Sequence, residues 1–487
     1  MQPKQLEFLS PEEVATIQNK TLEILAHTGI KVNLKKMRDL LADHGCQVDP
    51  NSHITRFSPA LVQSAIQKAP PEFVIGGANP DIRFPIGPEK IVWSGLGTAF
   101  RMLNVEDGSH ADATHQDVAT HLILFDHLDN ISCNQMDIWA QDLPMHTIHV
   151  EALRTWAMEC TKSIGMGAYG VMATQDMMAM ISLVRGGLVA MQKNPPFCGI
   201  VSIESPLSST QAQLEGMIIL GEHGMPALLS PEAMAGTTAP APLAGLLLQH
   251  NVEIIAHVVM AQTANPGAPV MYGTVSTIAD LKTGSPALGS IETGMISAAS
   301  AQLARSYGLP VRTVAGATES KRLDVQCGFE RAQSMLLAAM AGANYITCVG
   351  TLESTNLGAH ELAVIDNEII GRVNRALRGI QVDDTLLAAK DIRRVGPSGN
   401  YLMEPLTLES FKQEHFIPLV SDRDQMEAWK KAGSPGIADH ARAEVTRILA
   451  QHQSHRLEPK LVQELDNYVD VVKRRSIADF EAAEWES

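Results

Sequence analysis

An eight-stranded αβ barrel with a helical N-terminal cap and a helical C-terminal extension is the fold class this sequence predicts. From about residue 130, short apolar runs rich in small and β-branched residues alternate with longer helical stretches, the signature of βα units on a parallel sheet. The runs begin about 28–44 residues apart, the room that one strand, one helix and two loops occupy. No G-x-G-x-x-G or G-x-x-x-x-G-K-[ST] turn closes any run, as a doubly wound nucleotide-binding sheet would show.

Residues 1–90 read as a helical subdomain. Ser10, Pro11 and Glu13 supply an N-cap, an N1 proline and a capping-box glutamate ahead of Val14, Ile17, Leu22 and Leu25, and this helix ends near Gly29. A second helix spans Leu34 to Asp43, and a third enters through Ser58-Pro59 and stops before Pro70-Pro71. The barrel is expected over 91–421, with strands near 131–137, 163–169, 198–204, 226–230, 270–275, 310–315 and 344–349. The eighth strand is either Ile91–Trp93 or Leu362–Ile365. Residues 422–487 form a charged helical extension whose amphipathic stretches, Asp439–His452 and Pro459–Arg475, pack on the barrel or on another subunit, and a homo-oligomer is expected.

Composition narrows the function. The chain has 487 residues, 45% hydrophobic and 19% charged, enough for a large buried core. Its net charge of −16 repels phosphate backbones and anionic lipid heads, so neither nucleic acid nor a membrane is an expected partner. Six cysteines without a C-x-x-C pair read as reduced thiols, and neither an N-terminal apolar core nor a spanning stretch is seen, so a cytoplasmic location is expected.

In barrels of this kind chemistry sits at the C-terminal ends of the strands. The residues following the runs there include Asp137, Trp139, Tyr169, Glu204, Glu232, Tyr272, Glu319 and Glu353. Trp139, Tyr169 and Tyr272 with the carboxylates Glu204, Glu319 and Glu353 make the environment that a fixed organic cation prefers, because ring quadrupole and charge both favour it. Singly, each is as well explained as a helix-capping glutamate or a core-edge tyrosine. His146-x-x-His149 with Glu151 lacks the H-E-x-x-H order, and no metal site is expected. Asp366-Asn367-Glu368 reads as an N-cap and acidic first turn. No residue stands out as a catalytic acid, base or nucleophile.

Several stretches resemble one family: Leu9-Ser10, Glu23 to Val32, Met271 to Ser276 with Asp280 and Gly284, Gly308-Leu309-Pro310, Glu319-Ser320-Lys321 with Asp324, Gln326, Gly328 and Glu330, Ala341 to Asn344, and Val364 to Glu368. They are similar to the trimethylamine methyltransferase superfamily over nearly the whole chain, though many members carry Asp where this chain has Glu319. The resemblance implies a TIM-type barrel whose mouth receives a methylated amine and a separate corrinoid protein, the methyl passing to Co(I). All 487 residues are standard amino acids, so the chain looks like the branch without pyrrolysine, which is similar to glycine betaine methyltransferase and acts on quaternary amines such as betaines and carnitine. The corrinoid (cobalamin) would arrive on its cognate protein, with none permanently bound. A substrate carboxylate would want Arg312, Lys321, Arg101 or a backbone nest. Two other readings stand beside this one: a metal-dependent lyase or aldolase using Glu204, Glu319 and His360, and a protein that sequesters an osmolyte.

Overall fold

Eight parallel strands close on themselves in the computed structural model, which describes residues 5–136, 138–455 and 457–486. They are β1 (Val92–Gly95), β2 (Cys133–Gln135), β3 (Ser163–Gly167), β4 (Phe197–Ile203), β5 (Ala227–Pro231), β6 (Val270–Thr274), β7 (Val311–Val314) and β8 (Tyr345–Val349). Each pairs with the next, and β8 returns to β1 through Tyr345 opposite Val92. A helix follows every strand: α1 (His115–His127), α2 (Ile148–Glu159), α3 (Val171–Arg185), α4 (Gln211–Glu222), α5 (Leu243–Ala264), α6 (Ile291–Ser306), α7 (Val325–Met340) and α8 (His360–Leu377). This is a (β/α)8 barrel. The first strand is the Ile91–Trp93 alternative; Leu362–Ile365 lies in α8 and is buried on all sides, where a short apolar run carries no period that separates helix from strand. The expected strand at 131–137 is shorter, and Asp137 lies outside the described residues.

The lower barrel is filled. Val92, Cys133, Cys198, Leu228, Met271 and Tyr345 each project inward from a different strand and form one cluster with Ile75 and Ile86. Those two belong to an antiparallel hairpin, Phe73–Gly76 with Arg83–Ile86, which plugs the N-terminal end.

The N-terminal region contains the three expected helices, Pro11–His27, Lys35–Asp43 and Pro59–Lys68, with the Ser10/Glu13 capping box closed in both directions at 3.3 and 2.7 Å. It is not wholly helical. Ile30–Val32, Gln47–Val48 and Ile54–Arg56 build a small sheet that is completed by Ser208–Ser209 from the loop after β4. Strands of two or three residues are too short to display an alternating pattern. The cap rests on α5, which is thereby covered on one side by Pro11–His27 and Pro59–Lys68 and on the other by β5 and β6. Double coverage accounts for its composition: α5 is the one helix among the described residues long and apolar enough to cross a membrane, and most of it is buried in this layer. The C-terminal helices Ile437–Gln451 and Pro459–Lys473 pack on the barrel, the first on α8 and α1, the second on α2 and α3. Arg475 and Tyr468 fasten that end by hydrogen bonds of 2.7–2.9 Å to buried Asp176.

Candidate active site

Above the filled layer the barrel opens into a cavity of about 350 Å³ at the C-terminal mouth, with wall residues from all eight strands or the loops that follow them. Small residues make this room. Gly167 on β3 leaves space for the ring of Tyr169, because a Cβ there would come within 2.0 Å of it, and a Cβ at Gly273 on β6 would come within 2.5 Å of Ser230 Oγ. The wall is mostly apolar, from Leu96, Met136, Ile200, Met234, Val275 and Leu288. Its titratable groups among the described residues are three: Tyr169, Glu232 and Arg312.

Tyr169 is partly open to the mouth, 42% exposed, with its hydroxyl 3.2 Å from Ser202 Oγ. Burial of the phenol pushes its pKa up, and the nearby Glu232 carboxylate adds to this, so the ring stays neutral. Trp139 is half-buried against the same cavity. Glu232, just beyond β5, is exposed at the mouth. Arg312 is fully buried at the second position of β7; its Nη1 donates to Thr274 O at 3.1 Å and lies 3.5 Å from Ser230 Oγ. Burial pulls its pKa down while the carboxylate of Glu232 favours its charge; an arginine remains a cation in either case.

Of the six residues expected to bind substrate, Trp139 and Tyr169 line the cavity. Tyr272 does not: it is wholly buried, faces the helix layer, and donates from its hydroxyl to Asn251 Oδ1 of α5 at 2.9 Å. Successive side chains of a strand point to opposite faces, and Gly273, not Tyr272, occupies the inner one. Glu204 also stands away from the cavity wall, exposed and accepting a hydrogen bond from Ser208 at 2.8 Å. Glu319 and Glu353 lie at the rim. The Ser354 hydroxyl donates to the Glu319 carboxylate at 2.6 Å, as does Gly289 N at 3.1 Å. Glu353 pairs with Arg101 at 3.4 Å. Residues 353–355 all have positive φ (49°, 49° and 77°), a run that non-glycine residues adopt only when held. Glu319 holds it, and Ser354 and Thr355 in turn line the cavity.

The stretch from Glu319 to Glu330 is the clamp behind that loop. Glu330 accepts from Thr318 Oγ1 at 2.6 Å and Glu319 N at 2.9 Å, and Asp324 caps α7 through Cys327 N while accepting from Ser320. Asp366-Asn367-Glu368 is not a helix start: it lies two turns inside α8, where Asp366 pairs with buried Arg331, Asn367 holds Asn130, and Glu368 accepts the backbone N–H groups of 419–421.

Residues 2–477 match the family model described as trimethylamine methyltransferase (MTTB). The chain belongs to this family. Among its relatives, the trimethylamine methyltransferase MttB of Methanosarcina barkeri (strain Fusaro / DSM 804) is 31% identical over 96% of this chain and 95% of its own length. The glycine betaine methyltransferase of Desulfitobacterium hafniense (strain Y51) is 29% identical over 95% of this chain and 96% of that protein. The solved monomethylamine methyltransferase MtmB of Methanosarcina barkeri aligns over 90% of this chain and 92% of its own, with 13% identity and a TM-score of 0.49. As a trimethylamine methyltransferase family member the chain is a methyltransferase.

Among the described residues no group of three or more His, Cys, Asp or Glu could hold a metal ion, and His360 pairs with Asp117 at 3.2 Å instead of joining Glu204 and Glu319. His149 likewise bonds Asp176. The strand register, which a short sequence window does not fix, is what misplaced Tyr272. Glu232 and Arg312 belong with Trp139 and Tyr169, and the available signal was the alternation Leu228-Ser230-Glu232 along β5 and its extension.

Proposed function

We propose that this methyltransferase removes a methyl group from a quaternary amine and passes it to the corrinoid of a separate protein docked at the barrel mouth. The observation that carries the reading is the mouth cavity itself: the rings of Trp139 and Tyr169 and the carboxylate of Glu232 face one apolar space, the combination that attracts a cation unable to donate hydrogen bonds. A quaternary ammonium leaves as a neutral tertiary amine, so the chain needs only to hold and orient it. The lining provides for that task. Tyr169 and Trp139 bring aromatic rings to the wall, Glu232 supplies field without a directed bond, and the Glu319-held loop fixes Ser354 and Thr355 in the same lining.

The rim suits a methyl acceptor brought by another protein. Phe100 after β1, Leu281 after β6, and Val325 and Phe329 at the start of α7 are exposed on the face where the cavity opens. A Co(I) corrinoid supplies the nucleophile for the methyl carbon. The family relationship supports the same chemistry, since one relative is a glycine betaine methyltransferase. The test is to mix the purified chain with pre-reduced cob(I)alamin and a panel of betaines, carnitines and trimethylamine, and to follow the absorbance of methylcobalamin. Methylation by a quaternary amine and none by trimethylamine is the expected result; methylation by trimethylamine alone overturns the reading.

A further inference from the structure

A wholly buried arginine with two of its three guanidinium nitrogens unpaired among the described residues is the most informative feature of the cavity. Arg312 is 0% exposed and lines the cavity wall. Its Nη1 is engaged by Thr274 O, but Nε and Nη2 find no hydrogen-bond partner among the described residues. Leaving buried, charged N–H groups without acceptors is costly, and folded chains avoid it unless the site has another purpose. The two atoms share one edge of the guanidinium plane, the edge that a carboxylate bridges with two parallel hydrogen bonds. The same protein uses that edge in this way on the neighbouring helix: Arg331 donates from Nε to Asp366 Oδ1 at 2.6 Å and from Nη2 to Asp366 Oδ2.

The surroundings of Arg312 fit a ligand. Gly273 beside it has no side chain, and Ser230 is small, so little side-chain bulk stands between Arg312 and the cavity that it lines, although Nε and Nη2 are themselves buried. Toward the mouth the cavity changes sign, with Glu232, Tyr169 and Trp139 in its wall. Glu232 is exposed and solvated, and no hydrogen bond joins it to Arg312 among the described residues. A cationic floor and a carboxylate with aromatic rings above it make a dipolar site.

We infer that Arg312 anchors a carboxylate of the substrate, so that the enzyme takes zwitterionic quaternary amines with the carboxylate at the floor and the methyl groups toward the mouth. This rests on the quaternary-amine reading above and adds to it a specificity residue and an orientation. The methyls then face the side from which an acceptor arrives, and a quaternary cation without an anionic group leaves the arginine unanswered.

Matched ligands and one substitution test it. The initial rate of cob(I)alamin methylation is measured for carboxylated quaternary amines and for choline and tetramethylammonium, with wild type and with Arg312→Met and Arg312→Lys. A preference of at least about 30-fold in kcat/KM for the best carboxylated substrate is expected in the wild type, lost in Arg312→Met and partly restored in Arg312→Lys. Equal use of choline or tetramethylammonium by the wild type, or an undiminished preference in a folded Arg312→Met, overturns it. Independently of turnover, binding of 3,3-dimethylbutyrate, which has the shape and carboxylate of a betaine but no cation, is compared with 3,3-dimethylbutanol on wild-type protein by calorimetry. Selective binding of the acid sustains the anchor even if no amine is demethylated, in which case the methyl-transfer reading alone falls; equal binding of acid and alcohol removes the anchor.

Discussion

Arg312 on β7 and Arg331 on α7 are both wholly buried cations, and they are partnered in opposite ways. Every guanidinium nitrogen of Arg331 is engaged: its Nε and Nη2 hold both oxygens of Asp366, its Nη1 donates to Thr351 O at 2.6 Å, and its Nη2 also reaches Cys348 O at 2.7 Å. Asp366 in turn accepts from Gly350 N at 2.8 Å, so the pair ties α7 and α8 to the end of β8. Among the described residues Arg312 makes hydrogen bonds through Nη1 alone, and its Nε and Nη2 stay unpaired in the wall of a cavity. The difference separates two uses of a buried charge. One is a structural knot behind the mouth loops, and the other is a group kept for something from outside.

Breaking the knot has the largest expected effect. Arg331→Met leaves Asp366 as an uncompensated buried carboxylate and is expected to cost about 3–5 kcal/mol, read as a shift of the urea midpoint. Replacing Asp366 by Leu as well should recover much of it. A loss below 1 kcal/mol in the single variant would contradict the structural role.

A third kind of buried ionisable group, one that stays neutral, sharpens the contrast. On α5, burial holds His250 at about 3 and His257 at about 4, and pushes Glu253 up to about 7. Between about pH 4.5 and 6.5 the unfolded chain binds two protons at the histidines that the native state does not, while the native state keeps one on Glu253 that the unfolded chain has lost. Unfolding therefore takes up 2 − 1 = 1 proton, and stability from these groups rises with pH by about 1.4 kcal/mol per unit. Removing the glutamate proton by Glu253→Gln should double that slope. Denaturation midpoints measured across the window check it, and an unchanged slope refutes the assignment.

At the mouth the effects are smaller. Trp139→Ala should lower kcat/KM for a quaternary substrate by about 2- to 30-fold with the fold intact, the range expected for one ring over a partly desolvated cation. Tyr272→Phe, by contrast, removes a hydroxyl that donates to Asn251 in the helix layer, and should move stability more than KM. Glu319→Ala releases the Ser354 loop and should raise KM by about 2- to 12-fold, with partial recovery in Glu319→Gln, which keeps an acceptor for the Ser354 hydroxyl. A normal KM in the alanine variant would show that the loop holds its shape unaided.

Much of this arrangement was legible in the residues. The barrel followed from the spacing of apolar runs, since each βα unit needs a similar length of chain, and Trp139 and Tyr169 followed from their places just beyond strand ends. What failed was any judgement that depended on which way a side chain points. Tyr272 and Gly273 are adjacent, and a shift of one residue exchanges the core face for the cavity face. Arg312 appeared only as one of several possible carboxylate partners, because its donors become conspicuous only when burial and pairing are known. Glu319 and Glu330 stood out in the sequence, but their work is to hold a loop with positive φ, and sequence spacing does not reveal what a carboxylate accepts from. The cap sheet was missed because its strands are two or three residues long.

The most direct measurement is the melting temperature of wild type and Arg312→Met with and without a saturating carboxylated quaternary amine. A ligand that binds only the native state raises the midpoint by mass action. The account predicts that Arg312→Met alone melts no lower than wild type, because an incompletely paired buried charge is replaced by an apolar chain, and that the ligand raises the wild-type midpoint by clearly more than the variant's. An equal ligand-induced rise in both proteins, or a variant that unfolds as readily as Arg331→Met, would contradict it.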